Sequence, residues 1–173
     1  MRSSSQTKRP LRFGLVGAGA IAQAYVEAFK RSERAELAAI ADCRLAAAEA
    51  LAETAECAAF GNVASMLAEM QLDAALVCTP PATHPEVCAE LVDAGLHVLC
   101  EKPLAISVAA AEEMIARADE RGVLFTMASK FRYVPDVARA RAIIAAGTIG
   151  DVILFENAFP ARVEMSSRWN ADP

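Results

Sequence analysis

Nothing in the 173 residues approaches the ~18 consecutive apolar positions that suggest a bilayer span. No membrane helix and no membrane partner are expected. Aromatic side chains are scarce, 6% of the chain with a single tryptophan, so alanine and small aliphatics carry most of its 55% hydrophobic content. Basic charge is also short: 17 Lys and Arg against 22 Asp and Glu leave a net charge of −5, which argues against a nucleic-acid partner and the basic face it requires. Only two histidines are present. The five cysteines, Cys43, Cys57, Cys78, Cys88 and Cys100, are odd in number, scattered, and without a C-x-x-C pair. They offer neither a zinc site nor a disulfide framework, and they fit a reducing cytoplasm. The polar, basic stretch Met1–Pro10 has no apolar segment behind it and reads as a flexible leader rather than a signal peptide.

What is present is a chain of about one domain's length, with mean hydropathy +0.28 and only 23% charged residues, enough apolar content for a large core. Apolar runs of strand length alternate with segments of helical period. Leu11–Val16 is followed by a helix whose face is expected to be Ile21, Ala24, Tyr25, Ala28 and Phe29. The pattern continues through strand 37–41, helix 45–54, a brief strand 57–60, helix 63–70, strand 74–78, helix 85–94 stopped by Gly95, and strand 96–100. Ser107 is placed to cap a helix with Val108, Ala111, Ile115 and Ala118 on one face, ending at Gly122 before strand 123–127. Alternation of this kind predicts an α/β fold, a doubly wound parallel Rossmann sheet, over residues 11–128. A helix from Pro135 through Ala146, stopped by Gly147, and a longer strand from Asp151 to Phe159 then predict the start of a second, α+β domain over 129–173.

The sharpest motif is Gly17-Ala18-Gly19-Ala20-Ile21-Ala22, a G-x-G-x-x-A stretch between a strand and a helix. Gly17 permits a tight turn, Gly19 lets the backbone approach a pyrophosphate, and Ala22 lets helix and strand pack closely while the helix N-terminus faces the anion. Asp42 ends the second strand, where a carboxylate accepts the ribose hydroxyls of NAD. Arg44, two residues on, either pairs with the 2′-phosphate of NADP or stands at the surface. The acid at the 2′ position favours NAD, with NADP possible. Two further segments fall at strand ends that face the same crevice. The first, Cys78-Thr79-Pro80-Pro81-Ala82-Thr83-His84, offers a hydroxyl and a proline wall to the nicotinamide side, with His84 read by itself as a helix-start or loop histidine. The second, Glu101-Lys102-Pro103, places a lysine where desolvation and a cationic nicotinamide ready its amine to exchange a proton with a substrate hydroxyl.

These motifs, together with Phe131-Arg132-Tyr133-x-Pro135 and Gly147-x-x-Gly150-Asp151, resemble in order and spacing the glucose-fructose oxidoreductase, inositol dehydrogenase and rhizopine-catabolism family. The resemblance runs from about Leu11 to the last residue. It implies an NAD(P)-dependent dehydrogenase acting on a secondary hydroxyl of a polyol, sugar or sugar derivative. By the same resemblance Lys102 is the catalytic lysine, the bond before its proline is often cis, and Glu101 lies by the nicotinamide. Gly17, Gly19, Ala20, Ile21, Asp42, Arg44, Thr79, Pro80, His84, Glu101, Lys102 and Arg132 are the expected cofactor-binding positions, with no metal. Trp169-Asn170-Ala171-Asp172-Pro173 looks like the family's segment ahead of a glycine cluster and an Asp-x-Gly-x-His motif, neither of which follows here. His97 is placed in a core strand and cannot replace that histidine. The expectation is therefore a truncated enzyme, weakly active or inactive alone, from a family whose full-length members form homo-oligomers. Two alternatives stay open: a non-catalytic dinucleotide-binding module or regulator, and a gene fragment without an evolved role.

Overall fold

A computed structural model describes residues 9–156 and 158. The elements run β1 (Leu11–Val16), α1 (Ala20–Lys30), β2 (Ala35–Ala41), α2 (Leu45–Ala55), β3 (Ala58–Phe60), α3 (Val63–Glu69), β4 (Ala74–Val77), α4 (His84–Asp93), β5 (His97–Cys100), α5 (Val108–Arg121), β6 (Phe125–Met127) and α6 (Pro135–Ala145). The chain divides into two compact units, Met1–Ala128 and Ser129–Pro173.

In the first unit six strands form one sheet in the order β3-β2-β1-β4-β5-β6, and every neighbouring pair is parallel. Alternate residues of a strand point to opposite faces, so a doubly covered sheet must be apolar at both parities. Val16, Ala39, Ala41, Val77, Val98 and Cys100 pack on one face with Met66, Leu91, Val92 and Met114 from α3, α4 and α5. Leu15, Ile40, Leu76 and Cys78 pack on the other with Ala22 and Val26 of α1 and Ala48, Leu51 and Ala52 of α2.

Caps set several helix starts. The Asn62 side chain accepts the Ser65 N–H at 2.8 Å, and Ser107 accepts that of Ala110 at 3.2 Å, as its position predicts. Two helix faces differ from the sequence reading. On α1 the covered residues are Ala22, Tyr25, Val26 and Phe29, while Ile21 is exposed. On α5 they are Ala111, Met114 and Ala118, with Val108 and Ile115 turned to solvent. In Ala-rich helices the apolar arc is wide, and the sheet selects the side that fits closest rather than the side with the largest residues. At the start of β1, Arg9 donates two hydrogen bonds to Asp73, at 2.6 and 2.8 Å, and Asp73 also accepts the Arg12 N–H at 2.8 Å. The expected leader is thus tied at Arg9; its residues 1–8 lie outside those described.

In the second unit a short 3₁₀ turn, Lys130–Tyr133, leads into α6, which starts on Pro135 and is followed by Gly147 at φ +71°. The strand expected from Asp151 to Phe159 is not formed over residues 151–156, and Ile153, Leu154 and Phe155 are largely exposed. A strand is defined by a hydrogen-bonded neighbour, and among the described residues none pairs with this segment. Residues 157 and 159, and Trp169–Pro173, lie outside the described residues.

Candidate functional site

The strand order reverses between β1 and β4, because β1 leads outward to β2 and β3 while β4 leads the other way to β5 and β6. Crossovers that diverge in this way leave a crevice outside the carboxyl ends of the strands. The turn after β1 is built for close approach. Gly17 sits at φ +98°, and a Cβ there would lie 2.8 Å from the Cys78 carbonyl carbon and 2.9 Å from the Thr79 nitrogen. Its own N–H donates to the Ala41 carbonyl at 2.8 Å, while the Cys78 N–H donates to Val16 at 2.7 Å, so the turn is held from β2 and β4 together.

Gly19 behaves differently. It is the N-cap of α1 at an ordinary φ of −79°, brings no capping side chain, and a Cβ on it would meet nothing within 4 Å. No acidic residue lies in the first turn of α1. The first N–H groups of this helix, at Ala20 and Ile21, therefore face open space with the positive end of the helix dipole behind them. Asp42 closes this side of the crevice. Its Oδ2 accepts the Ala18 N–H and its Oδ1 the Arg44 N–H, both at 2.8 Å. The Arg44 Nε stands 3.7 Å from Oδ1 on a side chain that is 73% exposed.

The ends of β4 and β5 form the other side. The Thr79 and Thr83 hydroxyls are 2.8 Å apart, Pro80 is exposed, and Pro81 starts the 3₁₀ turn into α4. Glu101 continues the ladder by donating its N–H to Val77 at 2.9 Å. Its carboxylate accepts the Tyr25 hydroxyl at 2.5 Å on one oxygen and the Lys102 N–H at 2.9 Å on the other. Burial first, and then the Glu101 carboxylate, hold the Tyr25 phenol well above its ordinary ionisation range. Lys102 is exposed, and its bond to Pro103 is cis.

Of the remaining expected residues, one is buried behind the loops and one belongs to the second unit. His84, grouped in sequence with the cofactor contacts, is completely buried, and its Nε2 and Nδ1 face the carbonyls of Thr79 and Leu104 at 2.9 and 3.1 Å. No nitrogen is left to point into the crevice, so His84 backs the two loops instead. Arg132 lies in the second unit, in the 3₁₀ turn, with its N–H donating to Ser129 at 3.1 Å. His97, placed in sequence inside a core strand, begins β5 exposed and accepts the Leu124 N–H on Nδ1 at 3.0 Å. Sequence reasoning missed Tyr25 as a site residue. The available signal is a tyrosine one turn beyond the glycine motif, the one hydroxyl-bearing side chain of α1. Among the described residues no group of three His, Cys, Asp or Glu side chains could hold a metal ion, and no helix is long and apolar enough to cross a membrane.

A parallel sheet of this order, with a Gly-x-Gly turn at its switch point and a carboxylate bonded to that turn from the next strand, is a dinucleotide-binding fold of the Rossmann class. The chain belongs to the Gfo/Idh/MocA oxidoreductases: the family described as "Oxidoreductase family, NAD-binding Rossmann fold" matches residues 11–129. It is 31% identical over 156 residues to D-glucoside 3-dehydrogenase of Escherichia coli, covering 86% of this chain and 43% of that protein. Inositol 2-dehydrogenase of Rhizobium meliloti is 30% identical over 82% of this chain and 43% of its own length. Among solved structures, the WlbA dehydrogenase of Bordetella pertussis, in complex with NADH and UDP-GlcNAcA, superposes with a TM-score of 0.77 at 32% identity, over 82% of this chain and 44% of that one. The chain spans less than half the length of each of these relatives.

Proposed function

We propose that the crevice binds NAD, and that this chain forms the cofactor-binding part of a dehydrogenase or reductase acting on a secondary hydroxyl of a sugar, polyol or sugar derivative. The observation that carries the reading is the unobstructed N-terminus of α1 over Gly19, with Asp42 bonded to the same turn. These residues fit a dinucleotide. The open first turn of α1 offers N–H donors and a favourable dipole to a pyrophosphate, with no side chain to displace. Asp42 Oδ2, with the Ala18 N–H as its one protein donor, keeps acceptor capacity for the ribose hydroxyls, and the charge of the carboxylate opposes a 2′-phosphate, which favours NAD over NADP. Arg44, beside Asp42 and largely in solvent, is the feature that leaves NADP binding open.

Bound nicotinamide supplies the hydride acceptor or donor. Lys102, exposed at the end of β5, exchanges the proton of the substrate hydroxyl. Glu101, held by Tyr25 and by the Lys102 N–H, fixes the backbone from which that amine projects. Thr79 and Pro80 line the wall between the glycine turn and Lys102. Residues 11–128 are the dinucleotide domain in this reading, and 129–173, with Arg132, belong to the substrate-binding and self-associating part. Relatives named for a glucoside and for inositol, and the WlbA dehydrogenase in complex with UDP-GlcNAcA, support this substrate class. The five free cysteines suit a reducing compartment such as the cytoplasm.

The test is NADH fluorescence titration of the chain and of its Gly19→Asp variant. Saturable binding that the added carboxylate abolishes is expected, and equal binding by both would refute the site. A panel of polyols and sugars offered with NAD then tests the chemistry, for which Lys102→Met should remove turnover and leave NADH binding in place.

A further inference from the structure

His84 stands outside the site just described, yet it joins both of the loops that build it. The residue heads α4, is 0% exposed, and sets one ring nitrogen against the Thr79 carbonyl and the other against the Leu104 carbonyl, at 2.9 and 3.1 Å. Thr79 follows β4. Leu104 lies two residues past Lys102. Both partners are carbonyl oxygens, which can only accept. A neutral imidazole carries one N–H, so its second nitrogen would press a lone pair against a carbonyl oxygen in a buried setting. Only a ring protonated on both nitrogens satisfies the two contacts.

A buried cation requires a counter-group, and the groups facing the ring supply one. Cys100, at the end of β5, is completely buried beside it, and Cys88 of α4 reaches the same sulfur. The Cys88 thiol and then the His84 ring favour the thiolate of Cys100, against the opposing effects of burial and of Glu101 next to it in the chain. On His84 burial opposes the charge, but the Cys100 sulfur and the two carbonyls outweigh it and raise the ring to about 8.

We propose that His84 is a positioning residue for Lys102, a ring that donates from both nitrogens and clamps the turn after β4 to the loop after β5. The inference rests on the reading of Lys102 as the proton-exchanging group. The clamp fixes the loop at Leu104 while Tyr25 and Glu101 fix it on the other side of Lys102, so the lysine is held between two ties.

The chain contains only two histidines, so ¹⁵N-labelled histidine gives a readable spectrum from the intact protein without cofactor. At pH 7 both ring nitrogens of His84 should show protonated-type shifts. Raising the pH through about 8 should deprotonate His84, and the carbonyl carbons of Thr79 and Leu104 should shift with the same midpoint. Cys100→Ala should move the His84 midpoint downward. An unprotonated nitrogen on His84 at pH 7, or carbonyls that ignore the titration, would overturn the clamp. These readouts need no cofactor. Failure of NADH to bind would sink the proposed function and leave the ring signature intact, while a neutral His84 would sink the clamp whatever NADH does.

Discussion

Gly17 and Gly19 are two residues apart in one turn, and the structure assigns them opposite consequences on substitution. Alanine at Gly17 has to hold φ +98°, which costs about 1–2 kcal/mol for an L-residue. Its Cβ would also lie 2.8 to 2.9 Å from the backbone of Cys78 and Thr79, and backbone cannot yield as a flexible side chain does. Retreat is blocked because Gly17 is bonded to Ala41 and Cys78 to Val16. With about 1–3 kcal/mol for the overlap, the total is about 3 kcal/mol. For a unit near 120 residues this corresponds to a Tm lower by roughly 10 °C. Alanine at Gly19 keeps an allowed φ and touches nothing, so its Tm should stay within about 2 °C of the parent. Its methyl nevertheless occupies the space that the pyrophosphate needs, and NADH affinity should fall about 10–100-fold, equivalent to about 1.4–2.7 kcal/mol. Thermal melts by circular dichroism and NADH fluorescence titration read the two effects separately. The reasoning fails if Gly19→Ala melts as low as Gly17→Ala, or if it binds NADH as the parent does.

Arg9 bonds first, and the Arg12 N–H next, hold the Asp73 carboxyl down to about 2, so its stabilisation is complete above the ordinary carboxylate range and lost as pH falls toward 2. Asp73→Asn should cost about 1 kcal/mol at pH 7, discounted because the Arg9 partner is 65% exposed, and urea melts of variant and parent should converge as the buffer is acidified. A difference that grows on acidification would reverse the sign of this argument. Tyr25→Phe leaves one oxygen of the Glu101 carboxylate without its donor and should cost about 1–3 kcal/mol, measurable by urea midpoint at neutral pH. Leu76, fully buried on the central strand β4, should lose about 3 kcal/mol on conversion to alanine, whereas Ile153→Ala, at a side chain 98% exposed, should lose almost nothing.

Much of the fold can be read from hydrophobic period, because parallel strands buried on both faces are continuous apolar runs and the helices between them end at Gly95 and Gly122. The same reasoning does not give the strand expected from Asp151, which is not formed over residues 151–156: an apolar run identifies what wants to be buried, and the partner that would bury it has to come from elsewhere. The choice of Ala22 and Val26 over Ile21 as the packed face of α1 follows from how the Gly17–Gly19 turn aims the helix, which residue identity alone does not specify. At the site, sequence supplies residue types at strand ends, and topology turns those ends into one crevice. The Tyr25–Glu101 bond joins residues 76 positions apart, and the two ties of His84 depend on the approach of separate loops. Such contacts carry no local signature, so neither the role of Tyr25 nor the two ties of His84 is legible in the sequence.

The most direct measurement is diffraction from crystals of this chain grown with NADH. The account predicts the pyrophosphate against the backbone of Gly17–Ile21, the adenosine ribose on Asp42, and the nicotinamide between Thr79 and Lys102. Density for NADH at any other surface, or a Lys102 amine on the far side of the sheet from the nicotinamide, would contradict it.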